Sequence, residues 1–204
     1  MERIMSEDRY LTFALGKGRL ANKTLELFEQ LGITCDEMKD KSSRKLIFVN
    51  EELKLRFFLA KGPDVPTYVE YGAADIGVVG RDTILEENRN VYEVLDLGFG
   101  KCRFALAAPK GGSFYTGHET RRIASKYPKV AHDYFLSRGM DVSVIKIEGS
   151  VELAPLLGLS DAIVDIVETG STLKANGLEV IEEICQLSAR LIVNTAAMKL
   201  HRSE

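Results

Sequence analysis

The sequence carries few marks of a nucleic-acid, metal or membrane protein. Its 204 residues have a formal net charge of -3 and no basic stripe. It therefore lacks the electrostatic footprint that nucleic-acid binding requires. Cys35, Cys102 and Cys185 are far apart and show no paired spacing. Three thiols cannot all pair within one chain, which points to a reducing, cytoplasmic compartment. His118, His132 and His201 lack metal-ligand spacing and read as surface or structural residues. The opening run MERIMSEDRYLTFAL contains acids and no long apolar stretch, so it reads as neither signal peptide nor membrane span. No low-complexity linker interrupts the chain. What is present is a globular mixture, 45% hydrophobic and 28% charged, with enough apolar residues for one large or two small cores.

Strand and helix patterns alternate. YLTFAL (10–15) reads as a first strand, followed by GKGRL and a helix from about Leu20 to Leu31. Leu20, Thr24, Leu27, Phe28 and Leu31 are expected on one face, with Gly32 as the stop. RKLIFV (44–49) and LKLRFFLA (53–60) suggest a hairpin. Asp64 is a candidate helix cap and Pro66 suits a first helical turn. DIGVVG (75–80) reads as a buried strand and RDTILEE as a short helix. A long extended segment follows, broken by Gly98 and Gly100. In the second half, 122–139 ends in a helix with Val130, Tyr134 and Phe135 on one side. Then come a strand (141–149), a short helix (150–160), a strand DAIVDIV (161–167), two extended pieces and a short tail. This alternation predicts α/β layers. Extended crossings near 94–108 and 177–194 suggest two lobes with a ligand cleft between them.

The stretch DAIVDIVETGSTLKANGL poses the chemical question. A strand runs into two carboxylates, Asp165 and Glu168, and then into Thr169, Gly170, Ser171 and Thr172. One reading is an ordinary helix start capped by Thr169 or Ser171. The other is an anion trap, with unpartnered N–H groups at a helix start, a glycine allowing close approach and three hydroxyl donors. Carboxylates beside such a trap would repel a bare phosphate. They suit a sugar phosphate, whose hydroxyls donate to carboxylates while its phosphate sits on the turn. GKGRL places Lys17 and Arg19 at another strand-to-helix turn and lacks the P-loop spacing. Lys61, Asp64, Arg81 and Asp82 follow strands, where α/β ligand loops fall. Asp96 and Arg103 lie in the extended crossing. Taken singly, each reads as an ion pair or cap as readily as a site residue.

The segments ALGKGRL, DIGVVGRD, LDLGFGKCRFALAAP, RIASKYP, GSVELAPLLGLSDAIVDIVETGSTLKANGL and SARLIVN occur in the order and spacing of the ATP phosphoribosyltransferase family. The resemblance covers nearly the whole chain. It implies an α/β fold of two lobes, like a type II periplasmic binding protein, with the active site in the interlobe cleft. Lobe I would comprise 1–97 plus 177–204, and lobe II, with the phosphoribosyl loop, 98–176. The implied reaction joins N1 of the adenine of ATP to C1 of phosphoribosyl pyrophosphate and releases pyrophosphate, with Mg²⁺. By motif position, Glu168, Thr169, Gly170, Ser171 and Thr172 would hold the 5-phosphate and ribose, with Asp165 as the catalytic carboxylate facing the ribose hydroxyls. Lys17 and Arg19 would contact pyrophosphate or ATP phosphates, and Lys61, Asp96 and Glu152 match positions assigned to ATP. Some relatives carry Ser or Ala in place of Glu168, which makes Asp165 the stronger candidate. No metal ligands follow from the sequence.

The chain ends about ten residues after SARLIVN. It thus resembles the short form of the family, expected to work as a homodimer within a hetero-oligomer that includes a histidyl-tRNA-synthetase-like regulatory subunit. Two rivals stand beside this expectation. One is a two-lobed module that binds a small anion without chemistry, against which the absence of a signal peptide counts. The other is a phosphoribosyltransferase with a different base acceptor, because the DIVETGST stretch reads sugar phosphate and not adenine.

Overall fold

The computed structural model describes residues 9–39, 44–112, 114–116 and 119–200, so the expectations for His118 and His201 lie outside it. The described residues form two compact units, one within 1–100 and 188–204 and the other within 101–187. The expected boundary at 176/177 is corrected to 187/188, and that at 97/98 to 100/101. The reason is strand pairing. Residues 178–187, expected in the first lobe, hydrogen-bond along their length to a strand of the second unit.

The first unit contains β1 (Leu11–Gly16), α1 (Arg19–Gln30), β2 (Ile47–Asn50), β3 (Leu55–Ala60), α2 (Val65–Glu70), β4 (Ile76–Gly80), α3 (Arg81–Glu87), β5 (Val91–Asp96), β11 (Ala189–Asn194) and α7 (Thr195–Leu200). Its sheet has the order β2-β3-β1-β4-β11-β5. β3, β1 and β4 are parallel, and β11 runs antiparallel to both β4 and β5. Alternation along β1 splits the core. Phe13 and Leu15 pack with Ala21 and Phe28 of α1, while Ala14 packs with Val65 and Val69 of α2. On α1 the buried stripe is Ala21, Thr24 and Phe28. Leu31, expected inside, is 67% exposed because the helix ends at Gln30. Gly32 N–H bonds to Glu29 O and Ile33 N–H to Phe28 O, a Schellman stop.

Two further expectations change. Asp64 makes no side-chain cap, because a 3-10 turn, Gly62–Asp64, leads directly into α2 and its backbone supplies the bonds. The expected tail is helical. Asn194 Oδ1 accepts the N–H groups of Ala196 and Ala197, both at 2.9 Å, and starts α7.

The second unit contains β6 (Cys102–Pro109), β7 (Arg121–Ser125), α4 (Pro128–Leu136), β8 (Val142–Lys146), α5 (Leu153–Leu156), β9 (Ala162–Val167), α6 (Ser171–Ala175) and β10 (Leu178–Leu187). Its sheet order is β10-β6-β9-β7-β8. β9, β7 and β8 are parallel, and β6 is antiparallel to β9 and to β10. Ala105, Ala107, Ala124, Ile163 and Val167 form one face of the sheet with Val151, Ala154 and Leu173. All three cysteines are free thiols. No described helix is long and apolar enough to cross a membrane.

Candidate active site

In each sheet the expected site residues gather at one edge. In the first unit, Gly16 is level with Ala60, Leu15 with Val78, Ala189 with Gly80 and Arg190 with Asp96. The carboxyl ends of β1, β3, β4 and β5 therefore finish together. Lys17 and Arg19 follow β1, Lys61 follows β3, Arg81 follows β4, and Asp96 ends β5. Loops at the carboxyl ends of parallel strands are the usual ligand-binding loops of α/β folds. Lys17, Arg19 and Lys61 are exposed. Gly18 starts α1 with φ 99, a backbone conformation that excludes most side chains. Lys17 N–H bonds to Ala60 O at 2.8 Å, which ties the GKGRL turn to the end of β3.

Asp96 is committed to structure. Its carboxylate pairs with Arg190 at 3.1 Å, accepts the Ser188 hydroxyl at 2.8 Å and accepts Gly98 N–H at 2.9 Å. Arg190 also pairs with Glu93 at 3.1 Å. These contacts pin the segment that leaves β5 to the segment that enters β11. Arg103, in the other unit, pairs with Glu183 at 3.4 Å.

In the second unit the same topology recurs. Val167 is level with Arg103, Ala124 with Ile163, and Ser125 with Lys146. The turns after β9, β7 and β8 thus share one edge. The turn after β9 carries Glu168, Thr169 and Gly170 into α6. Gly170 adopts φ 78, ψ 6, a left-handed conformation, and an added Cβ there would meet only Val167 at 3.7 Å. Glycine is needed here for its backbone angle; the protein itself does not crowd the position. Thr169 Oγ1 lies 3.0 Å from Ser171 Oγ and accepts Ser171 N–H at 3.3 Å. One N–H is thereby used within the turn, while the cap position of α6 is Gly170, and no side chain caps the helix as Thr169 or Ser171 was expected to. The N–H groups of Thr172 and Leu173 precede the first bond of α6, from Lys174 N–H to Gly170 O at 3.0 Å. Thr172 is exposed beside them.

Asp165 is half-buried in β9, two residues before its end, and shares a sheet face with Ile163 and Val167. Its Oδ1 accepts Ile166 N–H at 2.8 Å. Burial pushes the carboxyl above its ordinary range. The Glu152 charge pushes the same way, while the Ile166 N–H and Lys126 oppose it. The structure therefore brings Glu152, just before α5, into electrostatic range of Asp165. It also brings in Lys126, which reading along the chain did not single out. The available signal was its position, directly after a strand. Among the described residues, no three His, Cys, Asp or Glu side chains gather to hold a metal ion.

Comparison with known proteins gives the family. The sequence profile of HisG, the ATP phosphoribosyltransferase family, matches residues 61–204. An ATP phosphoribosyltransferase of Lachnoclostridium phytofermentans is 66% identical over 194 residues, 94% of this chain and 90% of that one. The chain belongs to the ATP phosphoribosyltransferase family. A second member, from Clostridium kluyveri, is 56% identical over 98% of this chain and 91% of its own length. Among solved structures, the ATP phosphoribosyl transferase (HisG:HisZ) complex from Thermotoga maritima matches with a TM-score of 0.81 at 35% identity. That match covers 95% of this chain and 92% of the other. The periplasmic aliphatic sulphonate binding protein SsuA from Escherichia coli, at 12% identity and a TM-score of 0.57, covers 96% of this chain and 64% of its own length. That likeness shows a shared fold, of the type II periplasmic-binding-protein kind.

Proposed function

We propose that this chain transfers the phosphoribosyl group of phosphoribosyl pyrophosphate to N1 of the adenine of ATP. The products are phosphoribosyl-ATP and pyrophosphate, and the step is the first of histidine biosynthesis. The observation that carries the reading is the turn after β9 in a member of this family. A half-buried carboxylate precedes a left-handed glycine and three hydroxyl-bearing residues at a helix start. Thr169, Gly170, Ser171 and Thr172 receive the 5-phosphate, Asp165 faces the ribose hydroxyls, and Glu168 borders the turn. Lys17, Arg19 and Lys61 supply cations for pyrophosphate or for the ATP phosphates. Asp96 holds the backbone near them and acts through Arg190 and Ser188.

The adenine N1 lone pair forms the new bond to C1, and the C1–O bond to pyrophosphate breaks with its electrons on the leaving group. Positive charge appears on the ribose ring as this happens. A carboxylate beside the ring stabilises that charge, and cationic side chains stabilise the departing anion. Adenine N1 needs no activation, so holding two polyanions in reacting geometry is the main task. Mg²⁺, when bound, shields the pyrophosphate charge. An ion of this kind takes oxygen ligands, which the phosphate groups of the substrates would supply. The working compartment is the cytoplasm. A HisZ-type, synthetase-like subunit is the proposed partner, as in the complex from Thermotoga maritima.

The test is product analysis with ATP and phosphoribosyl pyrophosphate, with and without Mg²⁺. A one-to-one adduct with equal pyrophosphate release is expected. Binding without turnover in the presence of the partner subunit would indicate a binding module, and an adduct only with another base would reassign the acceptor.

A further inference from the structure

At the end of β7 a buried hydroxyl fixes a turn that carries an exposed lysine. Ser125 is 0% exposed. Its Oγ donates to Val164 O of β9 at 2.6 Å and accepts Tyr127 N–H at 2.9 Å. Its carbonyl accepts Ile147 N–H, beyond β8, at 3.0 Å. The Tyr127 ring stands edge-on to Phe104 of β6, with centroids 4.9 Å apart. The residues on either side of Lys126 are thus held by β9, by β6 and by the segment after β8, while its side chain stays exposed.

Register places that side chain. Ala124 is level with Ile163 in the parallel β7–β9 pair, and both belong to the same packed face. Asp165 lies two residues beyond Ile163 in β9, Lys126 is the first residue after β7, and its ammonium is in electrostatic range of that carboxylate. The surroundings are acidic: Lys126 is in electrostatic range of Asp165 and of Glu148, Glu152 acts on Asp165 as well, and Glu168 follows β9 in sequence. Lys146 pairs with Glu148 at 3.0 Å, and Arg103 is taken by Glu183. Among the described residues no side chain lies within salt-bridge distance of Lys126. An edge this rich in carboxylates needs a cation before it can admit a phosphate ester.

We propose that Lys126 is a further substrate-binding residue, its ammonium contacting a phosphate oxygen of phosphoribosyl pyrophosphate beside the ribose, with Ser125 as its positioning residue. This rests on the phosphoribosyl assignment of the turn after β9. The same ammonium opposes burial and the Glu152 charge in setting the ionisation of Asp165.

The experiment uses the full chain with its synthetase-like subunit and compares wild type, Lys126→Met, Lys126→Arg and Asp165→Asn. Lys126→Met should raise KM for phosphoribosyl pyrophosphate about tenfold, roughly the 1.4 kcal/mol of one charged contact, and leave KM for ATP unchanged. It should also move the acid limb of kcat/KM to higher pH, because Asp165 loses its positive neighbour. Lys126→Arg should restore both. Calorimetry with phosphoribosyl pyrophosphate alone should show the same loss of affinity without chemistry. If Asp165→Asn cripples turnover while Lys126→Met moves neither KM nor the acid limb, the Lys126 proposal is overturned and the site stands. If Asp165→Asn is itself silent, the underlying site reading falls first. Thermal melting of Lys126→Met should match wild type, since the side chain is exposed.

Discussion

At the scale of single residues, Asp165 holds two roles in tension. Its carboxyl is pushed up chiefly by burial, and Glu152 adds to the shift. The folded state therefore binds this proton more tightly than the unfolded chain does. The stability contribution is fully present below the unfolded value and is lost as pH rises through the folded one. Catalysis asks for the opposite state, the carboxylate, as positive charge develops on the ribose. Asp165→Asn keeps the shape and can keep an acceptor for Ile166 N–H. We expect it to lower turnover tenfold or more, about 1.4 kcal/mol or above, with a smaller effect on ATP binding. We also expect it to be the more stable protein at pH 8 in urea denaturation, with the difference shrinking as pH falls towards 4. A variant that is both less active and less stable at pH 8 would show that the carboxylate is held for structure. Gly170 makes a second residue-scale case. Its φ of 78 disfavours any β-branched residue, so Gly170→Val should distort the turn and weaken phosphoribosyl pyrophosphate binding about tenfold or more, roughly 1–3 kcal/mol of backbone strain. Unchanged affinity in calorimetry would remove the turn from the site.

Elements are set by contacts that the residues make across the sheet. β4 lies between β1 and β11, and its Gly77 sits under α2. A Cβ at Gly77 would come within 2.8 Å of Val69, 2.9 Å of Val65 and 3.0 Å of Ile192. The first two belong to a helix and the third to a neighbouring strand, so relief requires moving packed elements. Gly77→Ala should therefore destabilise the first unit by about 1–3 kcal/mol, although alanine is ordinarily the better strand residue. The urea midpoint reads this, and an unshifted midpoint would mean that α2 gives way freely. β10 shows how an element can be recognised and still be misassigned. Its extended character is clear from LEVIEEICQL, but its pairing with β6, shifted between Val180 and Glu182 and between Glu183 and Cys185, is not a local property. Glu182 stands beside one of these irregularities. It accepts the Tyr115 hydroxyl at 2.8 Å and pairs with Arg138, which joins β10 to the segment after α4.

For the whole molecule, the open matter is how turnover is controlled. Two α/β units, each with ligand-type loops at one sheet edge, are consistent with an enzyme that must hold two polyanions at once. A partner that stabilises the reacting arrangement would raise turnover by shifting populations, with no new catalytic group. We expect the isolated chain to bind phosphoribosyl pyrophosphate and to turn over slowly. Adding the synthetase-like subunit should raise kcat and bring inhibition by histidine. A steady-state assay with and without that subunit, across a histidine titration, decides it. Strong inhibition of the chain alone would place the regulatory site within these residues.

Much of this protein is determined locally. The runs that became β1, β4 and β9, the Gly32 stop and the turn of residues 168–172 are visible along the chain, because periodicity and turn chemistry act over a few residues. Even α7 has a local signal, the Asn194 cap directly after a strand. Other features exist only after folding. Leu31 lies outside because α1 stops one residue earlier. β10 belongs to the second unit because its partner, β6, is some seventy residues away in sequence. Lys126 and Asp165, thirty-nine residues apart, are neighbours because two parallel strands have one register and a buried serine holds it. Which strand pairs with which is a long-range choice, made by burying both faces of a sheet at once. The sequence supplies the pieces of the site one turn at a time, and strand register determines which charges meet.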